Sequence, residues 1–349
     1  MKAVVLVGGE GTRLRPLTYK TPKGLLPIAN LAFLDRQLTW LTGHGVDDIV
    51  LSLGYLPEAF REHLAGDSSA EECRFGTARV QFRQEPEPLG TAGGIRFAAD
   101  GIDERLIVCN GDVLTDLDVR ALVGFHEASG AEATIALTKV DDPSAFGVVP
   151  TRDDGEVIAF VEKPPPGRAP TNWVNAGTYV LEPSVLERIP SRLQVSIERE
   201  TFPRMLDRPG RLFAFHSDSY WLDIGTPDKY LAAHADVLRG ALGFPPVAGA
   251  DEVDPGIWLE AGAVVDPSTR LVPPVLVGRD TAVGPGAWVA GTSIGARCTI
   301  GYGARVTGSV LHDGAIVGRA ADVADSVLGR GVEIDEGATV RAELRIREA

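Results

Sequence analysis

Residues 8 to 16 read Gly8-Gly9-Glu10-Gly11-Thr12-Arg13-Leu14-Arg15-Pro16. Glycines let backbone N–H groups come close to phosphate oxygens, and two guanidinium groups in the same stretch can neutralise the charge they would meet. A dinucleotide fingerprint would place a third glycine at position 14, where Leu14 stands, and a Walker loop would end in Gly-Lys-Ser/Thr. Neither pattern fits, and for the glycines alone a plain tight turn stays open. Further on, Asn110-Gly111-Asp112 sets a carboxylate after the apolar run Leu106–Cys109, and Trp221-Leu222-Asp223-Ile224-Gly225 sets another just before the helix expected from Pro227. Two carboxylates with retained water and substrate phosphate oxygens are a donor set that suits Mg²⁺, although each motif alone is equally a turn or a helix entry. Lys23 and Lys163 stand out because the only lysines are Lys2, Lys20, Lys23, Lys139, Lys163 and Lys229, while arginine is used freely. A compact ammonium is a different tool from a planar guanidinium, though a solvated surface lysine remains the plain alternative.

These groups need a scaffold. β-like runs at Ala3–Val7, Ile49–Leu53, Leu106–Cys109, Thr134–Lys139 and Gly177–Leu181 alternate with helix-like segments at Phe33–His44, Asp118–Ala128 and Pro227–Leu238. That alternation predicts an α/β domain of Rossmann-like type over residues 1–239, with a mostly parallel sheet covered by helices. The Gly-rich loop then lies at the carboxyl end of the first strand, where open α/β sheets bind ligands. Thr226 as N-cap and Pro227 at the first helical position start the last of the three helices.

Residues 240–255 are rich in Gly, Pro and Ala and read as a linker. From there aliphatic residues recur every six positions: Leu259, Val265, Leu271, Val277, Val283 and Val289. The phase slips by one residue and resumes as Ile294, Ile300, Val306, then Leu311, Val317, Val323, then Leu328, Ile334, Val340, each later triplet starting 17 residues after the one before. Triangular coils with two six-residue sides and one five-residue side produce that spacing, so residues 256–349 are expected to form a left-handed parallel β-helix. A β-sandwich would show period two instead. His312 is the one histidine beyond the linker; an acyltransferase would need such a base, but a bland surface position is the expected reading, and self-association or regulation the expected use of these coils.

Bulk composition narrows the partners. With 349 residues the chain can build more than one core, and a net charge of -14 without a Lys/Arg-rich run argues against nucleic acid. Cys73, Cys109 and Cys298 are far apart and odd in number, which fits neither a disulfide framework nor a zinc site. No apolar run is long enough for a signal segment or a bilayer span, so a cytoplasmic protein is expected.

Taken together, Leu6 to Pro27, Glu87 to Gly94, Asn110 to Asp112, Phe146 to Val149, Glu162 to Pro164, Asn175 to Gly177 and Trp221 to Gly225 resemble, in order, the motifs of the sugar-1-phosphate nucleotidyltransferases. The resemblance covers essentially the whole chain. It is nearest to the mannose-1-phosphate guanylyltransferases that carry a C-terminal hexapeptide-repeat domain. Two departures are Gly24, where many relatives have Pro, and Leu31-Ala32 after Asn30, where Lys-Pro is usual.

The resemblance implies transfer of a nucleotidyl group from a nucleoside triphosphate, GTP first, to a sugar 1-phosphate, mannose 1-phosphate first. Alternatives are dTTP or UTP with glucose 1-phosphate, a heptose or cyclitol phosphate, or a catalytically silent regulatory paralogue. It implies Asp112 and Asp223 as Mg²⁺ ligands, with Arg13, Lys23 and Asp112 catalytic. The nucleotide would meet Gly8, Gly9, Gly11, Thr12, Gln84, Glu85, Leu89, Gly90, Thr91 and Gly111, besides Arg13 and Lys23. Gly147, Glu162, Lys163, Asn175 and Gly177 would take the sugar phosphate, whereas Tyr220 and Trp221 are expected as core aromatics. A homo-oligomer, dimer or tetramer, is expected.

Overall fold

The structure is a computed structural model that describes residues 1–207, 210–243 and 246–347. Phe244 and Pro245 of the expected linker, and the last two residues, lie outside the described residues. The chain forms two compact units, Met1–Glu10 with Gln37–Trp221, and Gly11–Arg36 with Leu222–Ala349.

In the first unit Leu106–Asn110, Lys2–Leu6, Asp48–Leu53 and Ala78–Gln84 lie side by side and parallel. The first three are continuous apolar runs, as expected for strands buried on both faces, whereas Ala78–Gln84 alternates between buried and more exposed residues. Trp173–Leu181 then joins antiparallel, between Leu106–Asn110 and Ala133–Lys139, and Leu212–Ser217 adds a parallel neighbour to the latter. The sheet is therefore mixed, with a parallel centre. Asp118 caps the Val119–Ser129 helix by accepting from the N–H groups of Arg120 and Ala121.

Sequence periodicity did not predict the Gly90–Ala98 helix, since three of its nine residues are glycine. Propensity opposes it, and close packing wins. A Cβ on Gly90 would come within 2.6 Å of the Val195 carbonyl oxygen, on Gly93 within 2.6 Å of that of Leu193, and on Gly94 within 2.7 Å of Glu85 Oε1.

The second unit carries three parallel ladders. In one, Val264–Val265 faces Ala282–Val283, then Thr299–Ile300, Ile316–Val317 and Glu333–Ile334. In the second, Trp288 faces Arg305, which faces Asp322, which faces Thr339, and in the third Ser293 faces Val310, which faces Val327, which faces Leu344. Partners in the earliest rungs are 18 residues apart and in the later ones 17, which is the phase slip read from the sequence. The aliphatic positions from Val277 to Val340 are buried in one cluster. Positive backbone φ recurs at the same place in successive repeats, for example at Asp280, Arg297, Gly314 and Gly331, where the chain turns a corner. A column of hydroxyls runs beside the cluster: Ser309 N–H donates to Thr292 Oγ1, Ser326 N–H to Ser309 Oγ and Glu343 N–H to Ser326 Oγ.

The Pro227–Leu238 helix begins where predicted, with the Thr226 hydroxyl accepting from Lys229 N–H, and packs on Arg270–Val277, Trp288–Ile294 and the short strand Pro27–Ile28. His312 is buried, contrary to the expected surface position, because its ring meets Tyr230 of this helix. Among the described residues no helix is long and apolar enough to cross a membrane. All three cysteines are free, and burial pushes the Cys109 and Cys298 thiols up to about 12 and about 11, so both stay protonated and unreactive.

Candidate active site

The expected site residues fall on both units. In the first, the strand Leu106–Asn110 delivers Asn110-Gly111-Asp112 beside the end of Lys2–Leu6, where Gly111 N–H donates to the Leu6 carbonyl at 2.8 Å. Position 111 accepts no side chain: a Cβ there would lie 2.4 Å from that oxygen and 2.5 Å from Val7 Cγ1. Close packing thus fixes the turn that carries Asp112 next to the turn that carries Gly8 and Gly9.

Gln84 ends the strand Ala78–Gln84, exposed, with Arg61 3.4 Å from its Oε1. Glu85 Oε1 accepts from the Ser52 hydroxyl at 2.9 Å and Oε2 from Leu89 N–H at 3.0 Å, so this carboxylate shapes the loop leading to Gly90. Thr91 Oγ1 donates to Glu198 Oε2 at 2.8 Å and accepts from Ile197 N–H at 2.8 Å.

Through Glu198 that loop connects to a cavity of about 250 Å³ lined by Gly147, Glu162 and Asn175, all expected, and by Phe146, Glu198 and Arg199. Glu198 sits in a short π-helical turn, Ile197–Thr201, a feature often found at functional sites. It accepts from Ser196 Oγ at 2.8 Å and, through Oε1, from the Tyr179 hydroxyl at 3.1 Å. Asn175 Nδ2 donates to the same Tyr179 oxygen at 2.9 Å, and Asn175 Oδ1 accepts from Gly177 N–H at 2.9 Å. Burial first, then the negative charge of Glu198, holds the Tyr179 phenol well above its usual range, so it stays protonated as a donor; the charge of Asp112 acts in the same direction. Arg199 Nη2 lies 3.1 Å from Glu162 Oε1 at the rim. Lys163 is exposed at φ 46, its N–H bound to the Phe146 carbonyl, and does not line the cavity. Trp221 is half-buried, donating Nε1–H to the Ala176 carbonyl at 2.9 Å with its ring edge-on to Phe146.

In the second unit, Thr12–Leu14 and Lys23–Leu25 are single 3-10 turns. Gly11, at φ 61, immediately precedes the first: Thr18 Oγ1, in the loop between the two turns, donates to its carbonyl at 2.9 Å, and a Cβ on it would lie 3.1 Å from Lys23 Cβ. Arg13 reaches across to Gly225, where a Cβ would lie 2.5 Å from Nη2. Asp223 is two residues before, with Oδ2 3.3 Å from Lys229 Nζ. The structure thus gathers Gly11, Arg13, Lys23 and Asp223 on one unit.

Among the described residues no group of three or more His, Cys, Asp or Glu side chains is placed to hold a metal. One or two carboxylates, with water and substrate phosphate making up the rest, are what Mg²⁺ accepts, and Asp112 on the first unit and Asp223 on the second are each a donor of that kind.

The sequence did not mark Glu198, Arg199 or Tyr179. Glu198-Arg199-Glu200 reads as a solvated charge run, and only its enclosure between Ile197 and Phe202, both fully buried, signals an inward carboxylate.

The nucleotidyl transferase family model matches residues 2–240. The chain belongs to that family. It is 40% identical over 294 residues to a mannose-1-phosphate guanylyltransferase of Mycobacterium tuberculosis, covering 84% of this chain and 79% of the relative. To mannose-1-phosphate guanylyltransferase 1 of Arabidopsis thaliana it is 37% identical over 303 residues, covering 85% and 80%. Among solved structures, HddC from Yersinia pseudotuberculosis is similar at TM-score 0.57 and 32% identity, covering 67% of this chain and 97% of that one. A second HddC structure, complexed with GMP-PN, matches at TM-score 0.55. The resemblance read from the motifs is therefore confirmed at the level of the family, as is the nucleotidyltransferase fold.

Proposed function

We propose that this chain transfers a guanylyl group from GTP to mannose 1-phosphate and releases pyrophosphate. The observation that carries the sugar-phosphate half is the cavity that joins Gly147, Glu162 and Asn175 with Glu198, a space of hexose size with a mixed polar and aromatic lining whose carboxylates suit sugar hydroxyls. Relatives named mannose-1-phosphate guanylyltransferase support the choice of base and sugar.

A phosphate oxygen of the sugar 1-phosphate attacks the α-phosphorus in line. It is already anionic near neutral pH, the second phosphate pKa being about 6, so no general base is needed. The work left to the protein is positioning and charge neutralisation. Gly8, Gly9 and Gly11 offer backbone donors to the triphosphate, Arg13 and Lys23 its counter-charge, Gln84 and the Leu89–Thr91 turn the base pocket, and Lys163 the sugar phosphate. Asp112 and Asp223 would hold Mg²⁺, which when bound neutralises charge on the phosphate oxygens.

We assign the ladder segment, residues 256–349, to a left-handed parallel β-helix joined by the 240–255 linker to a catalytic domain, 1–239. The recurring register of 17 supports this. Its flat repetitive faces suit a homo-oligomer, which light scattering of the full chain would reveal. Pyrophosphate release measured across GTP, dTTP, UTP and ATP against mannose, glucose and heptose 1-phosphates tests the activity. Turnover greatest with GTP and mannose 1-phosphate is expected, and a clear preference for another pair would replace it.

A further inference from the structure

The hairpin Pro27–Ile28 to Leu31–Ala32 begins two residues after the Lys23–Leu25 turn, and both residues of its tip have positive φ, Ala29 at 44 and Asn30 at 63. Two L-residues in succession in that region cost free energy and persist only where the surroundings over-determine them. Here they do. Arg36 Nη2 donates to the Ile28 and Ala29 carbonyls, and Ala29 N–H donates to His234 Nδ1 at 3.1 Å. Asn30 Nδ2 donates to the Ile294 carbonyl at 2.8 Å and lies 3.1 Å from Glu260 Oε1, both on the ladder segment. Tyr230 donates its hydroxyl proton to the Pro27 carbonyl at 2.5 Å, which leaves its oxygen to accept from His312 Nε2–H at 2.9 Å.

We propose that the ladder segment acts through Asn30, Tyr230 and His312 as a positioning element for the Gly11–Lys23 phosphate loop, so that it serves the reaction directly and not only assembly. The proposal rests on the reading of Arg13 and Lys23 as triphosphate contacts. Both ends of the strut are fixed: Leu26 N–H donates to the Lys23 carbonyl at 3.1 Å, and Phe33 N–H closes the hairpin on the Leu26 carbonyl at 3.0 Å. A shift of the hairpin therefore moves Lys23, the residue on which Gly11 packs. Removal of the whole ladder would strip these partners at once, so single-atom changes in the full chain are the sharper probe.

Tyr230→Phe deletes one hydroxyl and both its bonds, and Asn30→Ala the ladder contact. Each is assayed by pyrophosphate release with GTP and mannose 1-phosphate in Mg²⁺, with size and melting temperature followed alongside. The expected result is a loss of roughly tenfold in kcat/KM for GTP, the size of one or two lost hydrogen bonds, with KM for mannose 1-phosphate within about twofold of wild type. His312→Gln, which keeps an N–H donor for Tyr230, should restore most of the activity that His312→Leu loses. Ile334→Val, in the ladder but remote from the strut, should leave turnover unchanged. Wild-type kinetics in both strut variants, or equal losses for both substrates that follow melting temperature, would overturn the proposal. Wild-type turnover is read separately: if the parent is silent with every nucleotide, the function reading fails, and the positioning role with it.

Discussion

The guanidinium of Arg13 lies against the Cα of Gly225, two residues after Asp223, where a Cβ would meet Nη2 at 2.5 Å. The glycine that follows the acidic motif is thus the seat of the arginine in the Gly-rich loop. Gly225→Ala should displace the flexible end of Arg13 with little effect on folding. A fall in kcat of up to roughly 100- to 1,000-fold is expected, the range for loss of one charge-stabilising donor. Arg13→Ala should fall at least as far. A rise in KM alone, in either variant, would make Arg13 a uniform binder and not a stabiliser of the transition state.

Asp112 stands on a turn whose backbone is fixed by Gly111 against Leu6. Asp112→Asn keeps the shape and halves the carboxylate chemistry. Turnover should be lost while circular dichroism and melting temperature stay near wild type; near-normal activity at saturating Mg²⁺ would remove Asp112 from the metal site.

Tyr179 holds Asn175 and is itself held by Glu198, which lines the cavity beside Asn175. Tyr179→Phe and Glu198→Gln should each raise KM for the sugar phosphate by roughly 5- to 20-fold, about one to two hydrogen bonds, with KM for GTP little changed. Titration of each variant with both substrates reads this directly, and a selective loss for GTP instead would reassign the pocket.

Burial pulls the His312 imidazole down to about 4, opposed by Asp313 and assisted by Arg330. His234 is also held well below its usual range, by burial first, then by the repulsion a protonated His312 would add and by the charge of Arg36. Both are neutral when folded, whereas an unfolded histidine takes up a proton near pH 6.5, so the unfolded state binds more protons below that value. Stability should therefore fall as the pH drops from about 6.5 toward 4, by on the order of 3 kcal/mol for His312. Urea midpoints at pH 7.5 and 4.5 check this, and His312→Gln should flatten the slope by about one proton.

Sequence periodicity located the elements whose burial pattern is simple. The strands beginning at Lys2, Asp48 and Leu106 and the Pro227–Leu238 helix lie within a residue or so of their expected bounds, because apolar runs and an N-cap specify them locally. The Gly90–Ala98 helix and the Ile197–Thr201 turn were not legible, since one exists through backbone contacts with Leu193 and Val195 and the other through bonds to Thr91 and Tyr179. The family resemblance assigned Gly147, Glu162 and Asn175 to one site, yet Glu198, which lines the same cavity, carries no local signal. His312 misled for the same reason: its partner, Tyr230, is 82 residues away in the chain.

The hydroxyl column of Thr292, Ser309 and Ser326 and the corner positions repeat with one spacing. A protein built this way has a quantum of length. Gain or loss of one whole repeat of 17 residues would rejoin every rung to an equivalent rung, while a single inserted residue would carry valines outward and hydroxyls into the wrong layer. Lineages that lengthen or shorten this segment should therefore do so in whole turns, and those turns should accumulate at the far end, beyond the rungs that hold Asn30 and Tyr230.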